Sequence, residues 1–284
     1  MASDATGDSA RQVRGPEEAA APRAQFPFIA AAGRRVLELA GFLGALLSFV
    51  QATVRSMVRT GLPVRVVIQQ VYEIGYKSLP LTALAAFAIG LVMALQTMML
   101  LKKFGVTQYV AVGVGLGMTR ELGPVVTALM VAGRAGSGIS AELGSMQVTR
   151  QIDALRILAV DPLRYLVATR VVACMIALPL LTAISDLLGI IGGAIVATTL
   201  GGVTPSGYVE TTLYYVTLAD LLTGLGKTVL FGLIIGATGA FYGFRTTGGT
   251  TGVGRSTTSA VVAASILIFL SDVFMTQLLV TIGY

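Results

Sequence analysis

The sequence contains no histidine and a single cysteine, and charged residues make up only 12% of its 284 positions. Without histidine, the chain lacks the usual general base, the commonest metal ligand and the serine–histidine and cysteine–histidine pairs of nucleophilic catalysis. Cys174 has no partner for an internal disulfide, so cysteine usage predicts neither redox chemistry nor an oxidising compartment. We therefore expect a non-catalytic chain that binds no metal and no cofactor.

The composition indicates a membrane protein. Hydrophobic residues make up 55% of the chain and the mean hydropathy is +0.82, whereas a soluble domain has roughly 25% charged residues. Repeated long apolar runs favour one all-α polytopic unit. The net charge of +6 comes from arginines that flank these runs, a distribution typical of membrane proteins rather than of nucleic-acid binding.

The amino-terminal part differs from the rest. Residues 1–25 are predicted to form a disordered cytoplasmic tail, because they have almost no large apolar side chains and no signal-peptide pattern.

Residues 26–284 form the membrane domain. Within it, residues 30–60 carry an apolar stripe interrupted by arginines, which favours an interfacial helix at the membrane surface. The alternative is a true span that ends near Val54. A short amphipathic piece, residues 64–77, leads into the membrane.

Five apolar runs reach the length of about 20 residues that a bilayer requires. They cover residues 79–101, 109–133, 165–200, 218–244 and 258–282. Between the second and third runs, the chain is expected to break at glycines into a polar cytoplasmic segment, residues 134–162. Arginine-rich loops alternate with arginine-free loops. This alternation predicts a cytoplasmic amino terminus and a carboxyl terminus on the opposite side.

Several charged residues fall inside the predicted spans, where a charge is costly and usually functional. Arg120 and Glu121 point about 100° apart on a helix, so each needs a partner on a neighbouring helix, a second subunit or an anionic ligand. They either line a polar cavity or pair structurally. Lys227 and Asp272 lie at similar depths, which predicts a buried structural ion pair. Asp186, close to an outer span end, is expected to be solvated.

The polar segment alternates apolar and polar residues at helical spacing. This pattern is typical of an ordinary amphipathic surface helix and also of a coupling helix that docks on a soluble partner. The candidate coupling residues are Glu142, Met146, Gln151, Ile152, Asp153 and Leu155.

Several motifs resemble one known family. RELGPVVTALMVAGRAGSGISAELGSMQVTRQIDAL, which begins at Arg120, and the following LAVDPLRYLVATR resemble the MlaE (YrbE-type) permease family of bacterial ABC transporters. The resemblance runs from about Val36 to the carboxyl terminus and includes ALQ at 94–96, GKTVLFG at 226–232 and SDVFMTQL at 271–278. Arg150 reverses the acidic charge that many relatives carry before the Gln-Ile-Asp run.

The resemblance implies a homodimeric permease subunit in the bacterial inner membrane. Such permeases work with a cytoplasmic ABC ATPase dimer, which hydrolyses ATP on a separate chain, and with a periplasmic MCE-domain protein. Together they move phospholipids or related lipids between the inner membrane and the outer envelope. The resemblance also implies a coupling helix at residues 141–155 and a lipid-binding cavity. We assign Arg120, Glu121, Gln96, Leu122 and Met99 to this cavity.

Two other functions are compatible with the residues alone. An ion-coupled secondary transporter would use Glu121 and Asp272 and would need no ATPase. A membrane scaffold would anchor a partner complex without moving a substrate. Both alternatives share the predicted spans, so they differ from an ABC permease in the energy source and in what is transported.

Overall fold

A computed structural model describes residues 27–282, and this part of the chain is helical with no β-strand. The tail predicted at residues 1–25 lies outside the described residues. The α-helices of the described part are α1 Pro27–Thr60, α2 Val64–Lys102, α3 Val110–Gly117, α4 Gly123–Val131, α5 Ser137–Val148, α6 Gln151–Ile157, α7 Thr169–Leu200, α8 Pro205–Tyr215, α9 Leu218–Phe244 and α10 Gly249–Ile282.

Six helices within residues 27–282 are long and apolar enough to cross a membrane. They are Ala40–Arg59, Val64–Lys102, Thr107–Val148, Leu163–Leu200, Leu218–Phe244 and Gly249–Ile282. The last five contain the five predicted spans, which confirms the all-α polytopic fold. The first lies in the segment predicted to be interfacial. That segment is helical as expected, and its location at the membrane surface stays a prediction.

The helix α2 is longer than the first predicted span. It begins at Val64 and continues without a break to Lys102, so the amphipathic piece at residues 64–77 is part of the same helix. Its 39 residues extend for about 58 Å at the rise of an α-helix. This length is about twice the hydrocarbon core of a bilayer, so α2 is longer than a membrane span requires.

The helices α2 and α7 pack closely along a row of small residues. Buried α2 residues recur at every fourth position, which returns them to one helix face: Ser78, Thr82, Ala86, Gly90, Ala94 and Met98. A Cβ atom on Gly90 would overlap the backbone carbonyl of Gly189. Small side chains therefore let the two backbones approach, as expected where lipid supplies no hydrophobic force between helices.

The second predicted span does not break at Gly133. The helix continues from Thr107 to Val148 through two π-helical turns, Met118–Leu122 and Ala132–Gly136. The expected glycine break is wrong because the following helix α5 packs against α9 and α10. This packing buries side chains such as Leu143, and tertiary burial outweighs the weak helix propensity of glycine.

The polar segment contains two helices rather than one. The helix α5 ends at Val148, and α6 begins at Gln151. Arg150 between them has a left-handed backbone with φ of 59°, a conformation that interrupts a right-handed helix. The single coupling helix expected at residues 141–155 is therefore divided at Arg150.

The short helix α8 is anchored to α7. The Tyr208 hydroxyl is buried and donates a hydrogen bond to the carbonyl of Ile190 at 3.2 Å. Burial raises the pKa of Tyr208 to about 12, so the phenol stays neutral at physiological pH. Since α6 precedes α7 and α8 follows it, these two short helices lie at opposite ends of α7.

Candidate functional site in the membrane

A cluster of charged side chains lies between the π-helical turn Met118–Leu122, α9 and α10. Asp220 and Lys227 are seven residues apart on α9, a separation of two helical turns that puts both on one face. Gly224 lies between them, and a Cβ atom there would overlap the Thr119 carbonyl. The missing side chain lets α9 approach the π-helical turn, so the residues of the turn reach those of α9.

Arg120 pairs with Asp220. The Arg120 Nε donates to Asp220 Oδ1 at 2.6 Å, and a terminal guanidinium nitrogen contacts the same oxygen. Asp220 Oδ2 accepts from the backbone N–H of Thr217 at 2.8 Å and from its hydroxyl at 2.7 Å, completing a capping box at the start of α9. The Asp220 side chain is 6% exposed and that of Arg120 is 49% exposed. The arginine is therefore held at one side and accessible at the other.

Lys227 is the buried centre of the cluster, with a side chain that is 2% exposed. Its Nζ donates to both Glu121 carboxylate oxygens at 2.9 Å, to Asp272 Oδ1 at 3.2 Å and to the Thr276 hydroxyl at 2.6 Å. The Thr276 hydroxyl in turn lies 3.2 Å from Glu121 Oε1. A buried ammonium requires such partners, because an isolated charge in an apolar interior is costly.

These contacts give Arg120 and Glu121 separate partners on neighbouring helices. The structure also brings Lys227 and Asp272 together, with Glu121 as a further ligand of the ammonium. The sequence reasoning missed Asp220, although its position seven residues before Lys227 and three after Thr217 was a usable signal. It also missed Thr276, one helical turn after Asp272.

Two of the predicted cavity residues line a shallow apolar groove beside α2. Gln96 and Leu122 belong to its wall, and the groove has a volume of about 270 Å³. The remaining lining residues are Ala88, Ile89, Val92 and Met93. Arg120 and Glu121 directly precede Leu122 in the sequence but belong to the charged cluster. Met99 lies outside the groove and is 70% exposed. The predicted cavity residues thus divide between groove, cluster and exposed surface.

The predicted coupling residues differ in accessibility. Glu142 is exposed and pairs at 2.6 Å with Arg170, a buried residue at the start of α7. Ile152 is fully buried in the core, and Met146 and Leu155 pack against that core. Gln151 is exposed and Asp153 pairs with Arg156 at 3.1 Å. Among these residues, the polar side chains are accessible to a partner protein, whereas the buried Ile152 anchors α6 to the core.

The most exposed apolar residues of the polar segment lie at the end of α6. Ile157 is 86% exposed and Leu158 is 71% exposed. Helical spacing identified both as apolar positions but could not distinguish them from the buried Ile152, because a short helix with apolar residues on several faces has no unique inward face.

Asp186 is buried rather than solvated. It is 2% exposed, and neither carboxylate oxygen has a hydrogen-bond partner within residues 27–282. The expectation of a solvated carboxylate is wrong because α7 packs against α4. Asp186 occupies the space left by Gly123, where a Cβ atom would overlap its Oδ1. No group of three or more histidine, cysteine or acidic residues in the described part of the chain could hold a metal ion.

Comparisons with known proteins agree on one family. The family model described as Permease MlaE matches residues 67–278. A probable ABC transporter permease protein of Rickettsia felis is 41% identical over 246 residues, which cover 87% of this chain and 95% of that protein. The intermembrane phospholipid transport system permease protein MlaE of Haemophilus influenzae is 33% identical over 265 residues, covering 90% of this chain and 98% of that protein. With these matches over most of its length, the chain belongs to the MlaE permease family.

Proposed function

We propose that this chain is the non-catalytic membrane subunit of an ATP-driven transporter that moves phospholipids between the inner membrane and the outer envelope. In this proposal it forms a homodimer and works with a cytoplasmic ABC ATPase dimer and a periplasmic MCE-domain protein. The similarity to the Haemophilus influenzae phospholipid transport permease, over 90% of the chain, supports the substrate class.

The half-exposed guanidinium of Arg120 is the observation that carries the proposal. Its Nε is fixed by Asp220, while about half of the side chain is accessible. An arginine held in this way is suited to the phosphate group of a lipid, because its planar fork matches phosphate oxygens. The apolar groove lies mainly on α2 and includes Leu122 from the helix that carries Arg120, and it is suited to an acyl chain.

The segment around α6 is suited to coupling with an ATPase on another chain. Ile157 and Leu158 offer apolar side chains that a groove on a partner could cover. Glu142 on α5 is joined to Arg170 on α7. A displacement of α5 and α6 would therefore act on α7, which packs against α2 and α9, and thereby change the shape of the membrane domain.

The ion-coupled alternative assigns proton or cation binding to Glu121 and Asp272. Both carboxylates contact the Lys227 ammonium, and this pairing favours a structural role. The scaffold alternative leaves the accessible side of Arg120 without a function.

Lipid retention tests the role of Arg120. We expect Arg120→Ala to retain about tenfold less phospholipid during purification, because a hydrogen bond to a charged group contributes about 1.5–3 kcal/mol. Mass spectrometry of the purified protein measures the bound lipid. The matched control Asp220→Asn weakens the arginine's anchor and the helix cap but leaves the guanidinium in place, so it should retain most of the lipid.

Two outcomes would contradict this role. Unchanged lipid occupancy in Arg120→Ala would remove the arginine from the lipid path. Equal losses in Arg120→Ala and Asp220→Asn would show that the ion pair between the two residues, rather than the accessible guanidinium, determines lipid retention.

A further inference from the structure

A second site lies apart from the charged cluster, in a cavity of about 620 Å³ between the carboxyl end of α1 and the turn that precedes α7. Arg55, Arg59 and Arg164 line it, and Asp161 is its one acidic residue. We propose that this cavity binds the phosphate group of an anionic phospholipid from the adjacent membrane leaflet. This site is independent of what the protein transports, and neither Arg120 nor α6 contributes to it.

Within residues 27–282, the first two arginines have no ion-pair partner. Arg55 and Arg59 are exposed and lie one turn apart on α1. No acidic residue in the described part of the chain forms a salt bridge with either of them. Like charges at this spacing repel and destabilise a helix. An anion between them would remove that repulsion.

Asp161 does not neutralise the cavity. Its Oδ1 accepts a hydrogen bond from the backbone N–H of Leu163 at 3.0 Å, and its Oδ2 accepts one from the Ser56 hydroxyl. The carboxylate is therefore used to hold the turn before α7 against α1. Three arginines and one aspartate leave the lining with a net charge of +2, which favours an anionic ligand.

Arg164 has the geometry of a preorganised phosphate ligand. Its Nε donates to the carbonyl of Gly61 at 2.7 Å, which fixes the guanidinium at the cavity wall. Its two terminal nitrogens make no hydrogen bond to other residues within 27–282. Arginine presents these nitrogens as a planar fork that fits two phosphate oxygens. Arg164 can thus bind phosphate with little loss of side-chain freedom.

The position and apolar lining favour a lipid over a free anion. Arg59 is the last residue of one candidate span and Leu163 the first of another, so the cavity lies at a membrane boundary, where phospholipid headgroups are found. Ala52, Val160 and Tyr165 add apolar surface to the lining, and tyrosine is common at this level of a membrane protein. A phospholipid would contact both the arginines and this apolar surface, whereas inorganic phosphate would contact only the arginines.

Native mass spectrometry of the full chain, titrated with phosphatidylglycerol in neutral detergent, tests the site. We expect Arg55→Gln/Arg59→Gln to bind this lipid at least about tenfold more weakly, because each basic residue near a membrane surface contributes substantially to anionic lipid binding. The matched control Arg65→Gln/Arg255→Gln removes the same charge at two exposed positions outside the cavity and should bind as the unmodified chain does. On the unmodified chain, diacylglycerol, which lacks the phosphate, should not compete.

Each other result would overturn the proposal. Equal weakening in both double variants would show a general effect of charge, and unchanged binding in both would exclude the cavity. Competition by diacylglycerol would remove the phosphate from recognition. Displacement of phosphatidylglycerol by an equal concentration of inorganic phosphate would identify a simple anion site. If the double variant bound lipid normally but lost a co-expressed ATPase, the arginines would belong to a protein interface.

Discussion

Lys227 shows at the scale of one residue how a charge is kept inside this protein. Its ammonium is 2% exposed and contacts Glu121, Asp272 and Thr276, which come from two other parts of the chain. Removing one member of a buried charge pair leaves the partner without compensation, and this usually costs far more than the pair contributes. The Asp272 side chain is 15% exposed and that of Glu121 is 42% exposed, and both carboxylates depend on this lysine for a compensating charge.

The first prediction concerns this dependence. We expect Lys227→Met to lower the free energy of unfolding by about 3–5 kcal/mol, because it leaves Glu121 and Asp272 facing each other without a cation. Thermal and denaturant unfolding of the purified protein in detergent measures the change. The matched control is Lys77→Met, since Lys77 is 48% exposed and pairs only with Glu73 on its own helix; we expect about 0.5 kcal/mol or less.

Further variants separate charge from packing. Combining Lys227→Met with Glu121→Gln and Asp272→Asn should recover part of the lost stability, because the neutral side chains no longer repel. A Lys227→Met protein as stable as the unmodified chain would show that the cluster has no structural role.

The sequence was sufficient to locate the charged residues inside the predicted spans, but it did not predict all of their ion-pair partners. The apolar runs around Arg120, Glu121, Lys227 and Asp272 identified them as charges inside predicted spans. The choice of ion-pair partners depends on the π-helical turn at Met118–Leu122 and on the rotation of α9 about its axis. Neither feature has a signal in composition or spacing, so the pairing of Arg120 with Asp220 became visible only in the structure.

Among the helices, close approach of backbones determines the geometry of the site. A Cβ atom on Gly224 would overlap the Thr119 carbonyl in the π-helical turn, whereas Gly226, two residues later on α9, has no atom within 4 Å of a Cβ position. The chain thus contains a natural pair of glycines in one helix, of which one is required for packing and the other is not.

Alanine substitutions at these glycines give the second prediction. Gly224→Ala should destabilise the protein by about 1–3 kcal/mol, because the backbone of α9 must move away from the turn. Gly226→Ala should be neutral or stabilising by up to about 1 kcal/mol, since alanine favours a helix. Unfolding measurements in detergent compare the two variants. Equal effects would contradict a specific contact between Gly224 and the turn.

The predicted bounds coincide with those of a helix where an apolar run alone defines it, as at α9, Leu218–Phe244. They failed at helix ends that tertiary packing determines. The helix through Gly133 persists because α5 packs on α9 and α10, and α6 is separate because Arg150 has a left-handed backbone. Periodicity also could not show that Ile152 is buried while Ile157 is exposed.

For the whole molecule, the proposed function requires a structural connection between an ATPase on another chain and the membrane helices. The candidate lipid contacts at Arg120 lie on the same continuous helix, Thr107–Val148, as Glu142. Glu142 pairs with Arg170, and Ile157 and Leu158 form an exposed apolar end on the next helix. This arrangement gives a physical connection between the proposed docking surface and the proposed lipid site.

Reconstitution of the protein in vesicles tests whether it transports phospholipid with energy from ATP. The chain, the proposed ABC ATPase and the proposed MCE-domain protein are incorporated into vesicles, and transfer of a labelled phospholipid is followed with ATP or with a non-hydrolysable analogue. We predict transfer that requires ATP hydrolysis and is lost, together with ATPase association, in Ile157→Ser/Leu158→Ser. The control Leu213→Ser/Tyr214→Ser alters equally exposed residues of α8 and should keep the ATPase bound. Phospholipid transfer without the ATPase, driven by a proton gradient, or no transfer under any condition, would contradict the account.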